Sequence, residues 1–457
     1  MRLSAWRLLA ALSLLVTVAT AATRPQYGGT LRVSTRAAPM SLDPADGMQP
    51  DTSVQRNLVL LVFDTLVTTD KAGQIQPGLA SSWQAESTRQ RWQFWIRAGV
   101  DFQDGSPLRA DAVAASLRNT NPAWTIYPTG NSIVIECRTP EPNLPAELAL
   151  WRNAIAKRTP TGAIFGTGPF QVAEWQPGKK LVLTAQEGYW GGRPFLDSIV
   201  IELGKTSRDQ MIALDLGKTD LGEIPLEQVR RLAMQSSRIQ TSASIELLAL
   251  VFIADAQSAE ERRLREALSL SIDRVAVRNV VLQGEGEMAG GILPNWMSGY
   301  EFVFPAAFDL GRAQQVRAEL PRASAGTLSY DASDSVSRLV AERIALNARD
   351  AGITLQPNPS AAPNIRLMRV LLPAIDSRIA LTSAARSMGL PAPQIASDSA
   401  EDLYQAESTM LETWRVIPLL HLPAVAYAVG TAVRGLEVDR DGSCHLPDVW
   451  LAGTDRP

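Results

Sequence analysis

The stretch TLSYDASDSVSRLVAERIALNARDAGITL, residues 327–355, decides the fold class. Thr327–Tyr330 reads as a short strand. Val336, Leu339, Val340 and Ile344 then recur at three- and four-residue spacing, which marks one face of a helix over Ser335–Arg349. Gly352 ends that helix, since glycine takes the left-handed conformation that closes a last turn, and Ile353-Thr354-Leu355 begins a second strand. A strand, a helix and a strand in about thirty residues form a βαβ unit, whose crossover makes the two strands parallel. The class is α/β.

Outward from this unit the signals keep alternating. Ser258 with Glu261 three residues later makes a capping box, and Leu264, Leu268, Ile272 and Val275 predict one helix reaching about Leu282. Trp92, Phe94 and Ile96 alternate along a strand that ends at Gly99, followed by a turn at Asp104-Gly105 and a short helix at Asp111–Leu117. Gly166–Trp175 and Lys180–Gln186 predict a hairpin around Pro177-Gly178. At ~150 residues per domain, 457 residues make two to three structural units.

Composition narrows the function classes. The 44 cationic side chains, only six of them Lys, balance 47 acidic ones, so the chain has no basic surplus for nucleic acid. With 46% apolar and 20% charged residues it reads as globular. Arg2 and Arg7 precede an apolar run, Leu8–Val18, and the small-residue element Ala19-Thr20-Ala21. This reads as a secretory signal peptide over 1–21, too short in its apolar part to span a bilayer, leaving a mature protein free in the periplasm. Cys137 and Cys444 are the only cysteines. An oxidising compartment permits a bridge between them, but two separate half-buried thiols, one on the strand ending at Cys137 and one on the tail, are the favoured reading.

Catalytic signatures are missing. The sequence has no Gly-x-Ser-x-Gly elbow, no His-Glu-x-x-His and no phosphate-cradling glycine loop. Of its two histidines, His421 lies in an apolar run between Pro418 and Pro423, where a satisfied core or cleft imidazole fits better than a base. His445 beside Cys444 lacks the further ligands of a zinc site. No enzyme activity, cofactor or metal is expected.

Several motifs, in order, resemble the family 5 extracellular solute-binding proteins, the oligopeptide, dipeptide and nickel receptors of ABC importers. They are Gly28-Gly29-Thr30-Leu31-Arg32, Leu42-Asp43-Pro44, Phe63-Asp64-Thr65-Leu66-Val67, Pro77-Gly78-Leu79-Ala80 with Ser82-Trp83, and RWQFWIRAGVDFQDGSPLRADAV at 91–113. Gly166-Thr167-Gly168-Pro169-Phe170, Gly188-Tyr189-Trp190, Arg265-Glu266-Ala267-Leu268, Ile272-Asp273-Arg274 and Ile417-Pro418-Leu419-Leu420 follow. Most read structurally: the glycines of 166–170 let the chain re-enter a sheet without a side-chain clash, and Trp83, Trp92 and Trp95 fill a core, with sugar stacking as the alternative.

The resemblance implies a two-lobed periplasmic binding protein-like fold with mixed sheets and a ligand enclosed between the lobes. Lobe I would comprise 22–64, 161–244 and 428–457, with an extra subdomain at 65–160. Lobe II would occupy 245–427, with crossing hinge segments at both ends. The chain is shorter than the family after the helix near 113 and in lobe II. Where peptide-binding members carry an aspartate for the ligand's α-amino group, this chain has Leu371-Leu372-Pro373-Ala374-Ile375-Asp376. Asp376 is therefore a ligand candidate, with a surface acid paired to Arg378 as the alternative. Met48 and Gln49, in the loop after Leu42-Asp43-Pro44, and Asn295 and Trp296 are the further cleft candidates. The function implied is a monomeric receptor that closes on a small peptide or similar solute and delivers it to an ABC transporter permease. Its only membrane contact would be peripheral, through that complex. A transport-defective, receptor-like interaction partner is the alternative.

Overall fold

The computed structural model describes residues 24–453, apart from 50, 71–72, 236–237, 302, 306, 321–324, 333, 361, 374–375 and 398. The leader at 1–21 lies outside the described residues. Two large sheets dominate. The first has seven strands in the order Phe170–Gln176, Lys180–Ala185, Ser198–Glu202, Thr30–Ser34, Leu221–Glu223, Ala426–Val429, Arg238–Thr241. The second has six, in the order Glu287–Met288, Val416–Pro423, Ser244–Phe252, Ile365–Leu371, Ala325–Ser329, Thr354–Pro357.

The βαβ unit is present: Ala325–Ser329 pairs in parallel with Thr354–Pro357 and with Ile365–Leu371, and the helix between spans Ser335–Asp350. Ser244–Phe252 and Val416–Pro423 form the centre of the second sheet and pair antiparallel. They are buried along nearly their whole length instead of alternating, as expected for strands covered on both faces. Each runs straight on into the first sheet, through Arg238–Thr241 and Ala426–Val429. The two lobes are thus joined by two adjacent strands.

A separate four-stranded antiparallel sheet, Ala80–Ala85, Arg91–Ile96, Ser132–Glu136 and Thr125–Thr129, packs on the helix Ala110–Thr120 around its own core. Trp92, Phe94 and Ile96 point into that core, as their alternation predicts, and Trp83 packs at its edge. Trp95 does not: it sits one residue out of phase, half-buried on the other face.

Three of the motifs meet at one buried carboxylate. Asp64 accepts hydrogen bonds from the Thr167 hydroxyl (2.9 Å), the Tyr189 hydroxyl (3.0 Å) and the Trp190 indole (2.8 Å). Burial pushes its pKa up to about 6, against the lowering effect of those donors. Gly166 and Gly168 make the approach feasible, because a Cβ on either would lie 1.9 and 2.5 Å from atoms of Val62.

The helix expected to run unbroken from Ser258 to Leu282 is interrupted. It spans Ala259–Ser271, Ile272 is extended, and Asp273 caps a new turn by accepting from the Ala276 amide at 2.8 Å. The break lets Arg274 turn inward, where its guanidinium donates to the carbonyls of Pro418 (3.1 Å) and Ser269 (3.1 Å) at the heart of lobe II. Cys137 and Cys444 are free thiols in different cores, under the four-stranded and seven-stranded sheets. Among the described residues no helix is long and apolar enough to cross a membrane.

Candidate functional site

A cavity of about 250 Å³ lies where the lobes and the four-stranded region meet. The helix Ser53–Val62 supplies Arg56 and Leu60, the segment Ala146–Trp151 supplies apolar wall, and Asp376 and Asp441 enter from the second lobe and the C-terminal tail. Arg56 fixes this arrangement. Its Nε and Nη2 donate to Asp51 (2.6 and 3.0 Å), and its Nη1 donates across the gap to the Leu372 carbonyl at 3.1 Å. Trp151 donates its indole N–H to the same Asp51 carboxylate at 3.0 Å. With 5% of its side chain exposed, Arg56 is a largely desolvated charge held by one full ion pair.

Asp376 caps the helix Ser377–Ser387, accepting from the Ile379 amide at 2.9 Å, while its other oxygen accepts from Asn143 Nδ2 at 3.1 Å. Asp441 accepts from the Ser443 amide and hydroxyl. Beside the Arg56–Asp51 pair, the carboxylates of Asp376 and Asp441 line the cavity. Ile379 packs on Ala146 and Leu150, and Arg440 of the tail sits 5.5 Å over the Trp296 ring. These contacts cross between lobes, so the arrangement is closed.

A second polar cluster spans the two sheets. Arg36, beyond the first strand, donates to Glu223 at 2.8 Å, and Arg369 in lobe II pairs with Glu246 and with Asp334 at 3.1 Å. Coulombic attraction to Glu246 and Asp334 outweighs burial and raises the Arg369 pKa further.

The loop at 290–300, which carries Asn295 and Trp296, is clamped from below. Glu407 accepts from the amides of Ile292 and Leu293 and from the Tyr300 hydroxyl, and burial pushes its pKa up to about 7. His421 Nε2 donates to the Ile292 carbonyl at 3.0 Å, and burial pulls its pKa down to about 4, so it is neutral. His421 is a satisfied core imidazole.

Of the residues singled out from sequence, Asp376 lines the cavity and the others do not. Met48 is 89% exposed, and the Gln49 side chain is used locally, between Asp46 and the Met40 amide. Asn295 is exposed, and Trp296 is half-buried in the seam between loop and tail. Arg56, Asp51, Trp151 and Asp441 went unrecognised. An arginine two residues before the apolar run that starts at Leu58, with an aspartate five residues before that arginine, was the available signal. Among the described residues no three His, Cys, Asp or Glu side chains group as metal ligands. A larger groove of about 1310 Å³, in which Arg32 is closed by a bidentate pair to Asp220, touches the first sheet away from the cavity.

The family model described as bacterial extracellular solute-binding proteins, family 5 middle, matches residues 74–371. The chain belongs to this family. Among curated relatives, the probable D,D-dipeptide-binding periplasmic protein DdpA of Escherichia coli is 25% identical over 59% of this chain and 58% of its own length. The nickel-binding protein NikA of Staphylococcus aureus is 25% identical over 50% of this chain and 49% of its own. This family 5 chain therefore spans about half the length of the curated relatives it matches. Solved structures share the fold over nearly the whole chain. The dipeptide-binding protein of Pseudoalteromonas sp. SM9913, in complex with Met-Leu, superposes with a TM-score of 0.80 at 16% identity, covering 93% of this chain and all of that one. The S. aureus NikA complex with Ni(L-His)2 gives 0.78 at 17% identity, over 92% and 99%.

Proposed function

We propose that the protein is the exported receptor of an ABC importer. It loses a leader near Ala21, works in the periplasm as a monomer, closes its lobes over a small solute and presents the closed form to a permease. The cavity between the lobes carries this reading: it is walled from both lobes, Arg56 bonds across it to the Leu372 carbonyl, and it holds two carboxylates. Its volume corresponds to about eight waters of liquid, which favours a solute no larger than a dipeptide or compact chelate. Asp376 and Asp441 favour a cationic group on that solute, Asp376 as its anchor. Relatives named for a D,D-dipeptide and for nickel agree with this class. Lobe I at 22–64, 161–244 and 428–457, an inserted region at 65–160 and lobe II at 245–427 remain the division that suits such closure.

Native mass spectrometry of protein released from the periplasm tests this. The expected result is a chain beginning near Ala22 or Thr23 with a co-purifying small solute bearing an amine or a coordinated cation. A full-length, membrane-retained chain, or a bound macromolecule in place of the solute, overturns it.

A further inference from the structure

The helix Leu226–Met234 of lobe I faces the helix Ser335–Asp350 and the turn Val277–Val281 of lobe II across a groove of about 960 Å³. Four large apolar side chains stand exposed along it: Met234 at 79%, Val280 at 63%, and Leu339 and Leu346 at 41% each. Leu339 and Leu346 are seven residues apart, two helical turns on one stripe, while Val336, Val340 and Ile344 of the same helix are buried in the lobe II core. On its outer face the helix thus carries Leu339 and Leu346 with Glu342 and Arg343 between them, an exposed apolar stripe set among charges, an arrangement that calls for a second surface.

Groove and cavity lie on opposite faces of the lobe I sheet. On the strand Leu221–Glu223, Leu221 joins the core under the helix Ser53–Val62, which lines the cavity, whereas Gly222 meets Leu214 of the helix Ser207–Asp215. Consecutive strand residues point to opposite faces, so these two helices cover opposite sides. Met211 and Leu214 share a surface with Arg231 and Leu232, which places Leu226–Met234 on the side away from the cavity. The crossing strands run between the two openings. A rotation about them that opens the cavity closes the groove.

We propose that the groove is a counter-interface of the hinge: its apolar walls come together when the cleft opens, and their burial stabilises the open, unliganded form. Closure on a ligand must then re-expose Met234, Val280, Leu339 and Leu346. The groove so sets the ratio of open to closed forms, and through it the apparent affinity for any ligand, without touching that ligand. The inference rests on the hinge closure proposed above.

Small-angle scattering of ligand-free protein tests it, with thermal melting to show that each variant folds. The wild type should have a larger radius of gyration than that calculated for the closed structure. Leu339→Trp, a wedge in the groove, and the pair Met234→Ala with Leu339→Ala, which removes apolar wall, should both shift it toward the closed value. Losing part of two buried side chains should change the ratio roughly tenfold. A short bis-maleimide link between Met234→Cys and Leu339→Cys, with Cys137 and Cys444 replaced by Ala, should act oppositely and hold the protein expanded. An expanded wild type whose folded variants are equally expanded overturns the groove's role alone. A ligand-free wild type already at the closed value overturns the hinge reading as well.

Discussion

Replacing Glu407 by Gln should change how the stability of the loop at 290–300 depends on pH. Glu407 is fully buried, and its pKa rises from 4.5 to about 7, chiefly through burial and against three donors. An acid whose folded pKa is raised contributes stability that is complete below its unfolded pKa and is lost as pH climbs through the folded one. At 1.36 kcal/mol per unit, the loop should lose about 3 kcal/mol between pH 4.5 and 7. His421, on the other side of Ile292, works in the opposite direction, because burial lowers its pKa from 6.5 to about 4 and its stabilisation is lost as pH falls. The two slopes oppose each other in the wild type. Gln isolates the acid: its Oε1 still accepts from the amides of Ile292 and Leu293, and its N–H replaces the protonated oxygen beside Tyr300. Hydrogen exchange of the peptide covering 289–300, corrected for intrinsic rates, gives the opening free energy at each pH. The difference between wild type and Glu407→Gln should fall by about 3 kcal/mol from pH 4.5 to 7, while the variant alone gains protection over that range. A flat difference curve would refute a buried, titrating Glu407.

Asp376→Asn keeps the helix cap and removes the charge, so binding of an amine-bearing ligand should weaken by one to two decades, about 1.5–3 kcal/mol, with melting nearly unchanged; calorimetry on both proteins reads it. Asp64→Ala strands three donors, Thr167 buried and Tyr189 and Trp190 half-buried, and should cost about 3 kcal/mol in urea unfolding, whereas Asp64→Asn, which can still accept from Thr167 and Trp190, should cost much less; equal losses would contradict the hydrogen-bond reading.

Elements governed by local spacing were legible in the sequence. The βαβ unit at 325–357, the Ser258 cap and the buried phase of Trp92, Phe94 and Ile96 all follow from which residues share a face. Where a long-range partner decided the outcome, periodicity misled. Ile272 fits the apolar stripe of the helix before it, but Arg274 needs the Pro418 carbonyl, and Asp273 makes the turn that reaches it. The cavity was the least legible part. Asp51, Arg56, Trp151, Asp376 and Asp441 come from segments up to 390 residues apart, and no spacing along the chain records that they converge. Asp376 emerged only because a motif drew attention to its segment.

The place of Ala426–Val429 in the first sheet bears on how the chain can fold at all. This strand lies between Leu221–Glu223 and Arg238–Thr241, pairing with both. Until residue 429 is present in the folding compartment, Arg238–Thr241 has no neighbour to join and the sheet stops at Leu221–Glu223. The four-stranded region, whose strands and core lie within 66–155 apart from edge contacts, has no such dependence. As the chain emerges from its N-terminal end that inner region can settle early, while the lobe surrounding it in sequence stays incomplete until the last tenth of the chain appears. A truncation just before Ala426 would thus leave two unpaired strand edges in the middle of a sheet, a template for association with other chains more than a slightly shortened protein.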